Sequence, residues 1–211
     1  FDASQSTDSE KAKFIAECTI GLEKNIIFEL KKSLPDHNFN GRETGLNGDN
    51  KKEPTWQICV IDDLANFRVG LPAYAIIVAC QINGKTEHAV LVNPINGDEF
   101  TASRGRGAQL NNRRIRCGGV TNLADAIIGY TQPSGSNDSA FDQRQRIQGL
   151  MARAMDLRNI GSNALSICYV AADRFQGALL SNVDDFALSA AGLVASEAGC
   201  LIADANGQPM L

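Results

Sequence analysis

The sequence has little of what builds a metal site from nitrogen or sulfur. Its only histidines are His37 and His88, and its six cysteines, Cys18, Cys59, Cys80, Cys117, Cys168 and Cys200, stand singly with no Cys-x-x-Cys pair. That pattern excludes a structural zinc site. Most of these cysteines lie in apolar stretches, such as Ile58-Cys59-Val60 and Val78-Ala79-Cys80, and are expected to be reduced, buried thiols acting as small hydrophobes. A positive field is also missing: 20 basic against 24 acidic residues give a net charge of -4, so nucleic acid is not an expected partner. No run reaches the ~18 apolar residues of a membrane span, and residues 1–13 are polar and acidic, unlike a signal peptide. The expectation is a soluble, cytoplasmic chain with no membrane partner. There is no repeat and no low-complexity tract.

What remains is an ordinary globular composition, 44% hydrophobic and 21% charged over 211 residues. A chain of that length buries roughly 70% of its unfolded surface, enough for a core without staples. Apolar positions Ile15, Cys18, Leu22, Ile26 and Leu30 recur every three or four residues and predict an amphipathic helix over 14–34, stopped by Pro35. Residues 36–55, polar with three glycines, read as a loop whose length calls for a function. Strands are expected at 56–61, 74–82, 88–92 and 99–102, with turns at Asn83-Gly84 and Asn96-Gly97, in an antiparallel meander continuing through Ile115. Beyond about residue 121 the rhythm alternates: strands at 126–130, 159–160, 177–180 and 200–203, helices at 141–157, 162–172 and 184–198. Such alternation indicates a parallel or mixed sheet covered by helices. The fold class is therefore α/β with an α+β first half, divided into residues 1–120 and 121–211 within one compact unit.

The segment Trp56-Gln57-Ile58-Cys59-Val60-Ile61-Asp62-Asp63-Leu64-Ala65-Asn66-Phe67 resembles the signature Trp-x-x-Asp-Pro-Ile/Leu-Asp-Gly-Thr-x-Asn-Phe of the inositol monophosphatase family. Three further blocks are similar, in the family's order and spacing: Pro35 to Glu43, Arg104 to Asn111, and Glu197-Ala198-Gly199. The resemblance implies the layered α-β-α-β-α sandwich of that family and a Mg²⁺-dependent phosphomonoesterase, a hydrolase of inositol phosphates and related small phosphates. Such chemistry needs clustered carboxylates, because hard Mg²⁺ takes oxygen ligands.

Position by position, the resemblance puts Arg42 where the family has its first metal-binding glutamate, with Glu43 beside it. Cys59 falls on the first aspartate of the signature, Asp62 on the second, and Asp63 and Leu64 on the glycine and threonine that handle phosphate and water. Phe186 and Ala187 replace the Trp-Asp that carries the third metal aspartate. Leu180, Gln176 and Thr19 stand at three other acidic positions. Only Asp62, with Glu43 as neighbour, is left to hold metal; a guanidinium and a thiol are poor substitutes for acids. Two readings follow. One is a catalytically silent binding or scaffold member, a pseudo-enzyme with a degenerate site at Arg42, Glu43, Cys59, Asp63, Leu64 and Ala187. The alternative is a weak or altered phosphatase using Glu43, Asp62 and one of Asp63, Asp184 or Asp185 around a single Mg²⁺. On the first reading neither Mg²⁺ nor a small phosphate is an expected ligand, and a protein partner is.

Relatives of this type usually carry a further helix before the one at Ile15 and a strand and helix beyond Leu211, so a homodimer covering exposed sheet edges is the matching expectation. Arg104, Arg106, Arg113, Arg114 and Arg116 gather around one hairpin and read as charge protecting a strand edge, with an acidic partner, RNA or an anionic ligand as the sharper alternative. Trp56 is expected to pack in the core, His37 to hydrogen-bond within its loop, and Ser162 to cap a helix. Asp184 and Asp185 read as capping acids, and Ser134 to Asp138 as an exposed loop at the mouth of the cleft between the halves.

Overall fold

The computed structural model describes residues 7–50, 52–135 and 138–210. Helix α1 (Asp8–Ser33) starts earlier than the apolar periodicity predicts, because Thr7 and Glu10 form a capping box in which each side chain accepts from the other's backbone N–H. Its buried stripe is also displaced from the expected one. Thr19, Glu23 and Ile27 are buried, whereas Leu22 is half exposed. Polar residues can occupy the inner stripe because they find partners there: the Thr19 hydroxyl donates to the Ile15 and Ala16 carbonyls, and Glu23 reaches the next segment of chain.

The expected loop 36–55 contains two strands, β1 (Asn38–Gly41) and β2 (Gly45–Asn47). They are short, and β1 adds parallel to the edge of β3 (Thr55–Asp62), a long-range pairing that local patterning does not announce. The meander then runs as expected through β4 (Ala75–Ile82), β5 (Lys85–Asn93), β6 (Asp98–Ser103), β7 (Gly107–Leu110) and β8 (Arg113–Ile115), all antiparallel neighbours. The whole is an eight-stranded sheet in the order β2-β1-β3-β4-β5-β6-β7-β8. A short helix, α2 (Leu64–Val69), follows β3 directly where no helix is expected.

The second half supplies β9 (Ile127–Tyr130), α3 (Asp138–Met151), β10 (Asp156–Arg158), α4 (Asn163–Ala171), β11 (Gly177–Leu179) and α5 (Asp185–Glu197). Its three strands form a parallel sheet in the order β10-β9-β11. The expected strand at 200–203 is absent; only an isolated bridge joins Ala203 to Pro209, and the exposed Leu201 has no face to bury. Of the loop Ser134 to Asp138, Ser136 and Asn137 lie outside the described residues, as do residues 1–6.

Two clusters organise the core on opposite faces of the large sheet. Helix α1 covers one with Ile26, Ile27 and Leu30 against Phe39, Ile58 and Val60. On the other face α4 and α5 bring Leu165, Cys168, Leu193 and Val194 onto Cys59, Ile77, Leu91 and Phe100. At ~25 cal/mol per Å² of apolar surface, burying each large side chain contributes on the order of 2 kcal/mol, and it fixes α4 and α5 between the sheets. The layers are α1, the large sheet, α4 with α5, the small sheet, and α3 beside β10. Cys59, Cys80 and Cys168 are buried as expected; Cys18, Cys117 and Cys200 are only partly so.

Candidate functional site

The site forms where the end of β3 meets the amino termini of α2, α4 and α5. A bulge in β3 makes this possible: Cys59 pairs with Ile77 but Asp62 with Ala75, so one extra residue interrupts the alternation. Cys59 and Asp62 are both buried. Without the shift, period-two alternation would send residues 59 and 62 to opposite faces.

Each helix start is occupied by a carboxylate of the chain itself. Asp63, at φ 77°, caps α2 by accepting the Asn66 N–H at 2.8 Å. Asp184 caps α5 by accepting the Ala187 N–H at 2.8 Å. Asp62 accepts the Ala164 N–H of α4 at 3.2 Å and a short hydrogen bond from the Ser162 hydroxyl, which itself caps the same helix by accepting from the Leu165 N–H. Ser162 thus does more than cap: it joins α4 to the end of β3. At each start the chain itself thus supplies an acceptor for one or two of the N–H groups that an external anion would use.

Arg42 lies among these acids. Its guanidinium donates to Asp184, stands 3.9 Å from the Asp62 carboxylate, donates to the Ile61 carbonyl at 3.2 Å, and lies 5.3 Å from the centre of the Phe186 ring. Burial holds the Asp62 carboxyl above the usual carboxylate range; Ser162, Ala164 and Arg42 pull it down, and Asp184 adds to the rise. Burial likewise pushes the Cys59 thiol up to about 12, despite the nearby Arg42, so it is protonated and no hard-metal ligand.

The other expected residues divide. Ala187 is buried in the first turn of α5, and Leu64 is exposed at the start of α2. Glu43 is exposed, and its carboxylate makes no hydrogen bond or ion pair among the described residues; its backbone N–H instead donates to Glu23. Asp185 is exposed in the first turn of α5. Gln176 has a structural task, accepting the Ile127 N–H at 2.8 Å. His37 accepts from the Trp56 indole at 3.0 Å, which accounts for both residues near the end of α1.

Sequence reading misses Glu23. Fully buried, it accepts the Glu43 and Thr44 N–H groups at 3.0 and 2.9 Å and the Thr44 hydroxyl at 3.0 Å, fixing the β1–β2 turn that presents Arg42. The available signal is an acid spaced four residues from both Thr19 and Ile27 on one helix face.

The Mg²⁺ implied by the resemblance does not fit this donor set. Asp184 is paired with a guanidinium, Asp62 already serves Ser162 and Ala164, and Cys59, at the position of the signature's first aspartate, is a protonated thiol. Among the described residues no group of three or more His, Cys, Asp or Glu side chains is placed to hold a metal ion.

The fold is that of a layered α/β protein with a large central sheet. The chain belongs to the inositol monophosphatase family, whose model matches residues 1–211. That family is Mg²⁺-dependent in general. The chain is 33% identical over 207 residues to the Nus factor SuhB of Pseudomonas aeruginosa, a match covering 96% of this chain and 76% of the relative. It is 32% identical over 203 residues to the Nus factor SuhB of Vibrio cholerae, with the same coverage of each. Among solved structures, the extragenic suppressor protein suhB from Bartonella henselae superposes with a TM-score of 0.83 at 29% identity, over 93% of this chain and 79% of that one. The IMPase of Thermotoga maritima gives 0.80 at 26%, over 91% and 72%.

Proposed function

We propose that this protein keeps the inositol monophosphatase scaffold without its phosphomonoesterase turnover and serves as a binding or scaffold member. One observation carries the reading: the Arg42 guanidinium, a permanent cation, is paired with Asp184 beside Asp62, where the resemblance calls for a metal-binding acid. A two-metal clamp supplies several kcal/mol of transition-state charge stabilisation, and one free carboxylate cannot assemble it. The self-capped helix starts argue in the same direction, since a phosphate would have to displace Asp62, Asp63 or Asp184 from N–H groups they already satisfy. Relatives named as Nus factors accord with a role other than turnover. A cytoplasmic homodimer with a protein partner belongs to the same reading.

The test pairs calorimetry and turnover. Titration with Mg²⁺ or Mn²⁺ is expected to show no saturable binding up to millimolar concentrations, and inositol phosphate no hydrolysis. The combined substitution Arg42→Glu, Cys59→Asp, Asp63→Gly, Leu64→Thr and Ala187→Asp is expected to introduce both. Metal-dependent turnover by the unaltered protein defeats the proposal. Light scattering is expected to give twice the chain mass.

A further inference from the structure

One end of the large sheet carries a positive pole on a chain of net charge -4. Strand β8 is the last of the eight and is paired by β7 alone, so its far side offers the backbone groups that an added strand uses. Asn111 and Asn112 join the two strands in a tight hairpin turn, with φ of 50° and 62°. Residues 103–120 hold Arg104, Arg106, Arg113, Arg114 and Arg116 and no acid. All five arginines are exposed. Arg104 is committed to its own chain, donating to the Thr86 carbonyl at 2.9 Å and standing 3.3 Å from the Glu87 carboxylate. The guanidinium groups of the other four make no hydrogen bond or ion pair among the described residues. Neighbouring acids are occupied with backbone instead: Glu197 accepts the Gly105 and Gly107 N–H groups at 2.7 Å, and Asp173 accepts the Gly118 and Gly119 N–H groups at 3.3 and 3.2 Å.

We infer that this edge binds an extended acidic segment of a partner protein, which adds to β8 as a further strand and pairs its carboxylates with the free arginines. The pleat sets the sequence that such a segment needs. Ile115 packs against the cluster under α4 and α5, whereas the Arg114 guanidinium lies against Gly107, where an added Cβ would stand 2.8 Å from its Nη2. Alternation therefore puts Arg113 and Arg114 on opposite faces of the edge. A run of consecutive acids answers both, because a strand sends successive side chains to opposite faces, and each planar guanidinium matches a carboxylate with two parallel N–H donors. The charges that repel a second copy of this edge attract an acidic strand. RNA answers the hairpin less well: residues 103–120 contain no aromatic side chain on which a base could stack, and the net negative charge of the chain opposes a long polyanion. This surface and the site of Arg42 lie at opposite ends of α5, whose start is capped by Asp184 and whose last residue, Glu197, holds the Gly105 to Gly107 turn, about 20 Å away along the helix. Binding here is thus independent of turnover at that site, and its failure would leave the reading of that site untouched.

The experiment titrates the full chain into a fluorescein-labelled oligoglutamate peptide and follows anisotropy, beside three probes of the same length: an oligoglutamine peptide, an oligoglutamate peptide N-methylated at alternate residues, and an oligouridylate. Oligoglutamate is expected to bind saturably, and about tenfold or more tightly than either the glutamine or the N-methylated peptide. Arg114→Gln combined with Arg116→Gln should weaken it about tenfold and leave Tm unchanged. In the unaltered chain, hydrogen exchange at residues 113–116 should slow when oligoglutamate is added. Four results overturn the inference: equal binding of the glutamate and glutamine peptides, undiminished binding of the N-methylated peptide, tighter binding of the oligouridylate, or slowed exchange away from β8. Exchange is read in the unaltered chain, so a poorly folding variant leaves the test decisive.

Discussion

Arg42, on the turn after β1, is paired with Asp184 at the cap of α5, joining residues 142 positions apart in sequence. The pair fastens the edge of the large sheet to the helix that lies between the sheets. Its worth is limited by exposure: the Asp184 side chain keeps 46% of its surface and Arg42 keeps 21%, so solvent screens much of the attraction. Asp62, which is buried, depends on the same guanidinium. Arg42→Ala is therefore expected to cost about 2 kcal/mol, more than an exposed pair and less than a fully buried one. A double-mutant cycle with Asp184→Asn, which preserves the cap, should give a coupling of about 1 kcal/mol by urea denaturation. A coupling indistinguishable from zero would mean that the pair does not hold the two elements together.

Glu23 is expected to matter more than any residue of the candidate site. Its carboxylate is fully buried and serves two N–H groups and a hydroxyl, all of which lose their partner in Glu23→Ala. The expected cost is about 3 to 4 kcal/mol, while Glu23→Gln, which keeps an acceptor, should cost less than half of that. Gly41 packs so tightly that an added Cβ would run into the Glu23 and Thr44 side chains. Gly41→Ala alone should cost about 2 kcal/mol. Combined with Glu23→Ala the costs should fall short of additive, because the truncation opens the space that the methyl needs; additive costs would show that the two sites are independent.

A pH dependence follows from Asp98, which accepts a forked pair of hydrogen bonds from Arg174. The Arg174 guanidinium holds this carboxyl below the usual carboxylate range, so the folded state binds its proton less readily than the unfolded state. The stabilisation is present above the ordinary carboxylate pKa and is lost as pH falls through the lower folded value. Asp98→Asn should thus cost about 1 kcal/mol at pH 7, with Arg174 partly exposed, and progressively less as the pH falls below the ordinary carboxylate range. Thermal melts of both proteins across that range should converge at the acid end; a constant gap would assign the cost to packing.

The family blocks make much of the site legible in sequence because they fix register: Arg42, Cys59, Asp62 and Ala187 fall at one location by that register alone, and the fold brings them there. Glu43 reads as a neighbour of Asp62 because it is next to Arg42 in the chain, yet the turn after β1 sends adjacent side chains to different surroundings. The partner of Arg42 is not legible either, since Asp184 reaches it only through the packing of α5 against the large sheet. Strands β1 and β2 escape for a related reason: the pairing of β1 with β3 is long-range, and segments of four and three residues leave no alternation to read.

Asp63 sets two effects of similar size against each other. Its backbone is in the left-handed region at φ 77°, where a non-glycine residue carries strain of about 1 kcal/mol. Its side chain offsets that strain by accepting the Asn66 N–H at 2.8 Å, a cap of about 1 kcal/mol. Asp63→Gly removes both and should leave stability within about 0.5 kcal/mol of the unaltered protein. Asp63→Ala keeps the strain and loses the cap, so it should cost about 1 to 2 kcal/mol. Asp63→Asn, which tolerates the left-handed region and still accepts from Asn66, should match the original. Urea midpoints with Gly, Asn and Asp together and Ala lowest are the expected result. If Ala were equal to Gly, the left-handed conformation would not be enforced at this position, and the turn from β3 into α2 would have to be held by Asn66, whose amide donates at 2.7 Å to both the Ala73 and Ile160 carbonyls.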